Sequence, residues 1–261
     1  MEIIFMGTGT SHGVPMIGCN CEVCTSTNLK NHRTRTSIHV RVGGYSIQVD
    51  VAPEFRLQCL ANNVNQIDWV VLTHEHADHL AGMDDLRRFV DFRDGEGIPV
   101  HAFSGVLDRI KEIYPYAVRD RPEFRGYPAF IPHVVDRNQV IEFPWGTLET
   151  TVLPHGRFDV MGMVFTENET GKRFTYYTDC KSVGVEQREL ARGSEVVVLD
   201  GLRQDLHPTH MNIEEALEVA ESIDAPQTYF IHMTHHVNHD LIDTDLPEKV
   251  NLAYDGLRIQ I

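Results

Sequence analysis

Short apolar runs separated by turns dominate the chain. Glu2–Met6, Ser37–Val42 and Tyr45–Val51 read as strands, the last two joined through Gly43 and Gly44 as a tight hairpin. Ile67–Leu72 is almost continuously apolar, the pattern of a strand covered on both faces. Further strands are expected at Pro99–Ala102, Val140–Phe143, Leu148–Leu153, Met161–Thr166, Arg173–Thr178, Glu195–Asp200, Thr228–His232 and Gly256–Ile261. Helical spacing predicts helices over Pro53–Asn62, Gly82–Phe89, Gly105–Glu112, Val185–Ala191, Ile213–Ile223 and Pro247–Tyr254. Asn212 is placed to cap the Ile213 helix, with Glu214 and Glu215 in its first turn. The charged stretches Asp91–Gly97 and Tyr114–His133 read as loops inserted in one domain. Strands first, then a mixture of strands and helices, suit an α/β chain of two sheets with helices on the outer faces, a single domain over residues 1–261.

Composition narrows the class. With 42% apolar and 23% charged residues the chain can bury a full core, and neither disorder nor a collagen-like repeat fits. No apolar run approaches the roughly 20 residues needed to span a bilayer, so no membrane partner is expected. The N-terminal stretch has no basic region ahead of an apolar one, so it does not read as a signal peptide, and a cytoplasmic address follows as the default. The 23 Lys and Arg against 38 Asp and Glu leave a net charge of −15, which argues against extended nucleic acid as a partner.

Histidine and cysteine change the picture more. Nine of the 15 His cluster at 74, 76 and 79, at 207 and 210, and at 232, 235, 236 and 239. Cys19, Cys21 and Cys24 crowd one short loop, which in a cytosolic chain suggests a metal site rather than a disulfide framework. Directly after the Ile67–Leu72 strand comes Thr73-His74-Glu75-His76-Ala77-Asp78-His79. Four imidazole and carboxylate donors at a strand exit suit Zn²⁺, Mn²⁺ or Fe²⁺. One loop cannot complete two metal sites, and His155, Asp179 and His232 each stand at the carboxyl end of a later predicted strand.

On these residues the chain resembles the metallo-β-lactamase superfamily. The resemblance implies an αββα sandwich, with one divalent metal on His74, His76 and His155, a second on Asp78, His79 and His232, and Asp179 bridging. Asp50 matches the acidic position that braces the His loop. The run Gly7–Pro15 with Cys19, Cys21 and Cys24 resembles the phosphoribosyl cyclic phosphate phosphodiesterases of the PhnP family. In that family three such Cys and a His hold a structural zinc, and His235 occupies the matching position, with His236 and His239 as neighbouring alternatives. His210, ahead of Met-Asn-Ile-Glu-Glu-Ala, matches the general acid of superfamily phosphodiesterases, with His207 the second choice.

The resemblance therefore implies a hydrolase with two active-site Zn²⁺ or Mn²⁺ ions and one structural zinc, acting on a small cyclic or linear phosphodiester. Asp78 would orient the attacking hydroxide and His210 would protonate the leaving alkoxide. A thioester or lactone hydrolase on the same ligands has less use for His210. A tRNA 3′-end nuclease needs a basic arm that this acidic chain lacks. A non-catalytic role, like that of PQQ-pathway relatives with a Cys-rich N-terminus, sits poorly with an intact His/Asp motif. Homodimers are common among relatives of this size. Arg33 and Arg35 are either phosphate contacts or solvated charges, Cys59 reads as helix core, and Cys180 as a buried neighbour of Asp179.

Overall fold

The computed structural model describes all residues, Met1–Ile261. Two seven-stranded sheets lie face to face. The first runs β14 (Arg258–Gln260), β1 (Glu2–Gly7), β2 (Ser37–Val42), β3 (Tyr45–Val49), β4 (Trp69–Val71), β5 (Ile98–Ala102) and β6 (Phe130–Val134). The second runs β13 (Val250–Leu252), β12 (Gln227–Ile231), β11 (Val196–Asp200), β10 (Arg173–Tyr177), β9 (Phe158–Glu167), β8 (Gly146–His155) and β7 (Val140–Phe143). Strands β3 to β6 pair in parallel, as do β10 to β13, so their carboxyl ends open on the same edge. In such sheets the loops leaving those ends gather into a cleft.

The alternation of strand side chains explains why these strands read as nearly all apolar. In β1, Ile3 and Phe5 point between the sheets, while Ile4 and Met6 point outward beneath helices. In β11, Val196 and Val198 enter the space between the sheets, and Val197 and Leu199 face the other side. Helices α1 (Phe55–Asn62), α3 (Arg87–Phe92) and α4 (Ser104–Ile113) cover the first sheet through Phe55, Phe89, Val106 and Ile110. Helices α5 (Val185–Ala191) and α6 (Ile213–Ile223) cover the second through Ala191, Ala216, Val219 and Ile223. Three apolar layers thus hold four layers of structure together, the expected αββα sandwich.

Some elements differ from the expected ones. Phe130–Val134 is a strand, not a loop, paired in parallel with β5 from Ile98↔Phe130 to Ala102↔Val134. It lies at the sheet edge, with His133 and Val134 exposed and Pro132 in its middle, so it carries little of the alternation that marks a strand. The helix expected at Pro247–Tyr254 is absent. Val250–Leu252 instead pairs in parallel with β12, a choice made by long-range pairing, and the nearby helix is α7 (His239–Asp243). Over Gly82–Phe89 a 3-10 turn, Met83–Leu86, runs into α3. A single helical turn, α2 (Ala77–Leu80), carries Asp78 and His79.

Candidate active site

The site forms where the parallel strands end. Asp50, Asp179 and His232 follow β3, β10 and β12, and all three adopt left-handed backbone angles, with φ of 57°, 51° and 63°. Non-glycine residues rarely hold this conformation, and it costs energy that the surrounding packing must offset. Here each kink turns the chain away from its sheet at the point where its side chain enters the cleft.

Asp50 is fully buried and organises the His loop. Its Oδ1 accepts the Thr73 N–H at 2.8 Å, and its Oδ2 accepts the Thr73 hydroxyl at 2.9 Å and His79 Nδ1–H at 2.7 Å. That bond leaves His79 Nε2 facing the cleft, 3.3 Å from Asp78 Oδ2 and 3.2 Å from Asp179 Oδ2. His232 Nε2 lies 3.0 Å from the same Asp179 oxygen and 3.6 Å from Asp78 Oδ2. On the other side, His74 Nε2 is 2.9 Å from His76 Nδ1, and His155 completes a group of three. His155 Nδ1–H donates to the Thr209 carbonyl at 3.1 Å, which points its Nε2 inward. Asp179 Oδ2 is also 4.0 Å from His74 Nε2, so it stands between the two groups.

The donor set fits two divalent cations. Burial lowers the pKa values of His74, His76 and His155, the last to about 4, which favours the neutral imidazoles whose nitrogens can bind a cation. Around the second group burial disfavours every charge. Yet Asp179, Asp78 and Asp50 together raise the His79 pKa well above its ordinary value, and the imidazoles keep Asp78 and Asp179 ionised. His79 Nε2 and both His232 ring nitrogens are buried without hydrogen-bond partners. Buried polar atoms of this kind are costly unless something satisfies them. His74, His76 and His155 could hold one ion, and Asp78, His79, Asp179 and His232 a second.

His210 projects into the same cleft, its ring 4.7 Å from that of His155 and 4.8 Å from that of His232. Its Nδ1 is 2.7 Å from Oδ2 of Asp200, a fully buried carboxylate that also accepts the Cys180 N–H at 3.0 Å. Burial disfavours the imidazolium, but Asp200 outweighs it and holds the His210 pKa up at about 9. Lys181 fastens the segment by bonding Glu215 at 2.6 and 2.7 Å and the His210 carbonyl at 3.4 Å. Asn212 and Glu215 form a capping box at the start of α6, as the sequence suggested for Asn212. His207 lies further out, 5.1 Å from His210 ring to ring, with Nδ1 on Thr209. Asp200 was not singled out in the sequence, although it ends an apolar strand in the same way as Asp50, Asp179 and His232 do.

A second cluster lies apart from the cleft. Cys19, Cys21, Cys24 and His235 converge, with His235 Nδ1 3.4 Å from Cys19 Sγ and 3.3 Å from Cys21 Sγ. His235, not His236 or His239, is the histidine at this position. The Cys24 amide and His235 lower the Cys21 pKa to about 6, while burial pushes Cys24 up to about 11. Beneath lie only Val14, Val23 and Cys24 as buried apolar groups, a core too small to hold a long loop unaided. The donor set is one that closes around structural zinc. Arg33 and Arg35 do not reach the cleft. Arg33 is buried with Nη1 on the Thr234 carbonyl at 3.2 Å, and Arg35 pairs with Glu54. Cys59 and Cys180 are buried, as expected.

A family model described as a beta-lactamase superfamily domain matches residues 45–233, and the chain belongs to the metallo-β-lactamase superfamily. Within it the chain belongs to the PhnP family. Its structure superposes on that of a diphosphatase from that family with a TM-score of 0.90 and 32% identity, covering 100% of this chain and 97% of the other. A Zn²⁺-bound PqqB from Methylobacterium extorquens shares the fold with a TM-score of 0.82 and 18% identity, each chain covered in full at 100%. An octanoyltransferase of Porphyromonas gingivalis is 34% identical over 260 residues, 98% of this chain but 51% of that protein. The chain thus spans about half the length of that relative. Fold, family and the His/Asp cluster are those of the superfamily's metal-dependent hydrolases. No helix is long and apolar enough to cross a membrane.

Proposed function

We propose that the protein is a phosphodiesterase acting on a small cyclic or linear phosphodiester, of which a phosphoribosyl 1,2-cyclic phosphate is an example. The observation that carries this reading is His210, held by a buried carboxylate at the edge of the His/Asp cluster. Opening a phosphodiester expels an alkoxide, a poor leaving group that needs a proton, and a positioned imidazolium supplies one. Two divalent cations, when bound, would lower the pKa of water towards about 7 and draw charge from a phosphoryl oxygen.

The remaining work falls to the chain's own groups. Asp78, mostly buried between His79 and His232, offers a carboxylate to orient the nucleophile. Asp200 fixes which nitrogen of His210 carries its shared proton and leaves Nε2–H to point at the departing oxygen. Asp50, through Thr73 and His79, keeps the loop in register with the later strands.

The test is hydrolysis of bis(p-nitrophenyl) phosphate beside a thioester and a lactone, with Zn²⁺ or Mn²⁺ supplied. Metal-dependent cleavage of the phosphodiester, exceeding that of both carbonyl substrates, is expected. Thioester or lactone hydrolysis without phosphodiester cleavage would overturn the reading.

A further inference from the structure

His210 stands near the end of an irregular run, Gly201–Asn212, between β11 and α6. Its ring is tied at one point, through Nδ1 on Asp200. One hydrogen bond sets a distance but leaves the ring free to tilt, so the aim of Nε2 depends on where the backbone holds the residue. The residues on either side are fastened to the walls of the cleft. The Thr209 carbonyl accepts His155 Nδ1–H at 3.1 Å, and the Met211 amide donates to the Cys180 carbonyl at 2.8 Å. The carbonyl of His210 itself accepts only from the Lys181 ammonium, at 3.4 Å.

Lys181 is held at both ends. Its amide donates to the carbonyl of Pro154, the residue before His155, at 2.8 Å. Its ammonium bonds both oxygens of Glu215, at 2.6 and 2.7 Å. Glu215 Oε2 also accepts the Asn212 amide at 3.0 Å, and Asn212 Oδ1 accepts the Glu215 amide at 2.9 Å. One side chain thus joins the ends of β8 and β10 to the first turn of α6, with the backbone of His210 between them. The side chains of Lys181 and Glu215 are 31% and 32% exposed, and an ion pair so open to water adds little to folding stability. Proton transfer is far less tolerant of displacement, and a misplacement of about 1 Å can cost on the order of 10²-fold in rate.

We propose that Lys181, braced by Glu215, is a positioning residue that aims His210 Nε2 at the leaving oxygen. The inference rests on the phosphodiesterase reading, in which His210 donates the proton, and adds to it the pair that sets the direction of that donation. Lys181 acts through the backbone of His210 and does not touch the substrate.

The test compares kcat and KM on adenosine 2′,3′-cyclic phosphate, which expels an alkoxide, and on bis(p-nitrophenyl) phosphate, which does not. The proteins are Zn²⁺-loaded wild type, Lys181→Met, Lys181→Arg, Glu215→Gln and His210→Ala with and without Lys181→Met. Glutamine keeps the capping bond of residue 215, so Glu215→Gln removes the ion pair and spares the start of α6. Lys181→Met is expected to lower kcat on the cyclic diester by about 10- to 100-fold and far less on the p-nitrophenyl ester, with KM little changed. Glu215→Gln should follow it in weaker form, and Lys181→Arg should regain part of the loss. In the His210→Ala background Lys181→Met should cost nothing more, because the group it aims is gone. Equal losses on both substrates, a raised KM with kcat unchanged, or a further loss in the His210→Ala background overturns the proposal. If wild type cleaves neither substrate, the phosphodiesterase reading fails by itself. Whenever the cyclic diester is not cleaved, the position of His210 is judged by proton NMR of its Nδ1–H, identified by its absence in His210→Ala. That resonance must shift or broaden in Lys181→Met and recover in part in Lys181→Arg, and an unchanged signal overturns the proposal.

Discussion

Nδ1 of His210 lies 2.7 Å from Oδ2 of Asp200, and the same carboxylate oxygen accepts the backbone N–H of Cys180, the residue after Asp179. One buried carboxylate therefore ties His210, the proposed general acid, to the turn that carries a donor of the His/Asp cluster. The acid is held in place by the ends of β10 and β11 rather than by its own loop alone.

This coupling predicts how the acid should fail. His210→Ala is expected to lower kcat by about 10²–10⁴-fold on diesters with alkoxide leaving groups, and far less on p-nitrophenyl esters, whose leaving group needs no proton. Asp200→Asn should show the same dependence on leaving group in weaker form. Steady-state kinetics across a series of leaving groups decides the matter, and uniform losses across the series would assign His210 a purely structural part.

The cysteine cluster should hold its metal independently of the cleft. Cys24→Ser is expected to remove about one zinc per chain and to lower the melting temperature by about 5 °C or more, the effect of roughly 2 kcal/mol in a chain of this size. Metal analysis alongside calorimetry reads both quantities. Unchanged zinc content in the variant would mean that the cluster is not a metal site.

Asp255 fastens the N-terminal loop to the end of the chain. It accepts four hydrogen bonds, from the amides and hydroxyls of Thr8 and Thr34, at 2.9, 2.8, 2.7 and 2.6 Å. Burial nevertheless wins and raises its pKa from 3.8 to about 6. The folded state then binds the proton more tightly than the unfolded one. The resulting stabilisation is fully present below about pH 4 and disappears as the pH rises through about 6, a change of about 3 kcal/mol. Denaturant unfolding of wild type and Asp255→Asn across this window should show the wild type losing ground to the variant as pH rises. A difference that stays flat or grows in the wild type's favour would contradict it.

Much of the fold was legible because buried strands announce themselves. Trp69–Leu72 and Val196–Leu199 are apolar at consecutive positions since both faces are covered, and α6 declares itself through Asn212 and its apolar face. Strands β6 and β13 were not legible. The first is a partly exposed edge, and the second is only Val250–Leu252, held by pairing with β12. The cluster of His74, His76, Asp78 and His79 could be read because its donors are adjacent in sequence.

The amino-acid sequence by itself determined the donor inventory, the strand ends that carry it and the family resemblance, all of which depend on local spacing and residue type. Only the tertiary structure decided which donors meet. It selected His235 over His236 and His239, took Arg33 and Arg35 out of the cleft, and brought Asp200 and Lys181 to His210. The left-handed kinks at Asp50, Asp179 and His232 belong to this second group. Their cost is borne by packing between sheets and helices distant in sequence, so no local pattern of residues could have announced them.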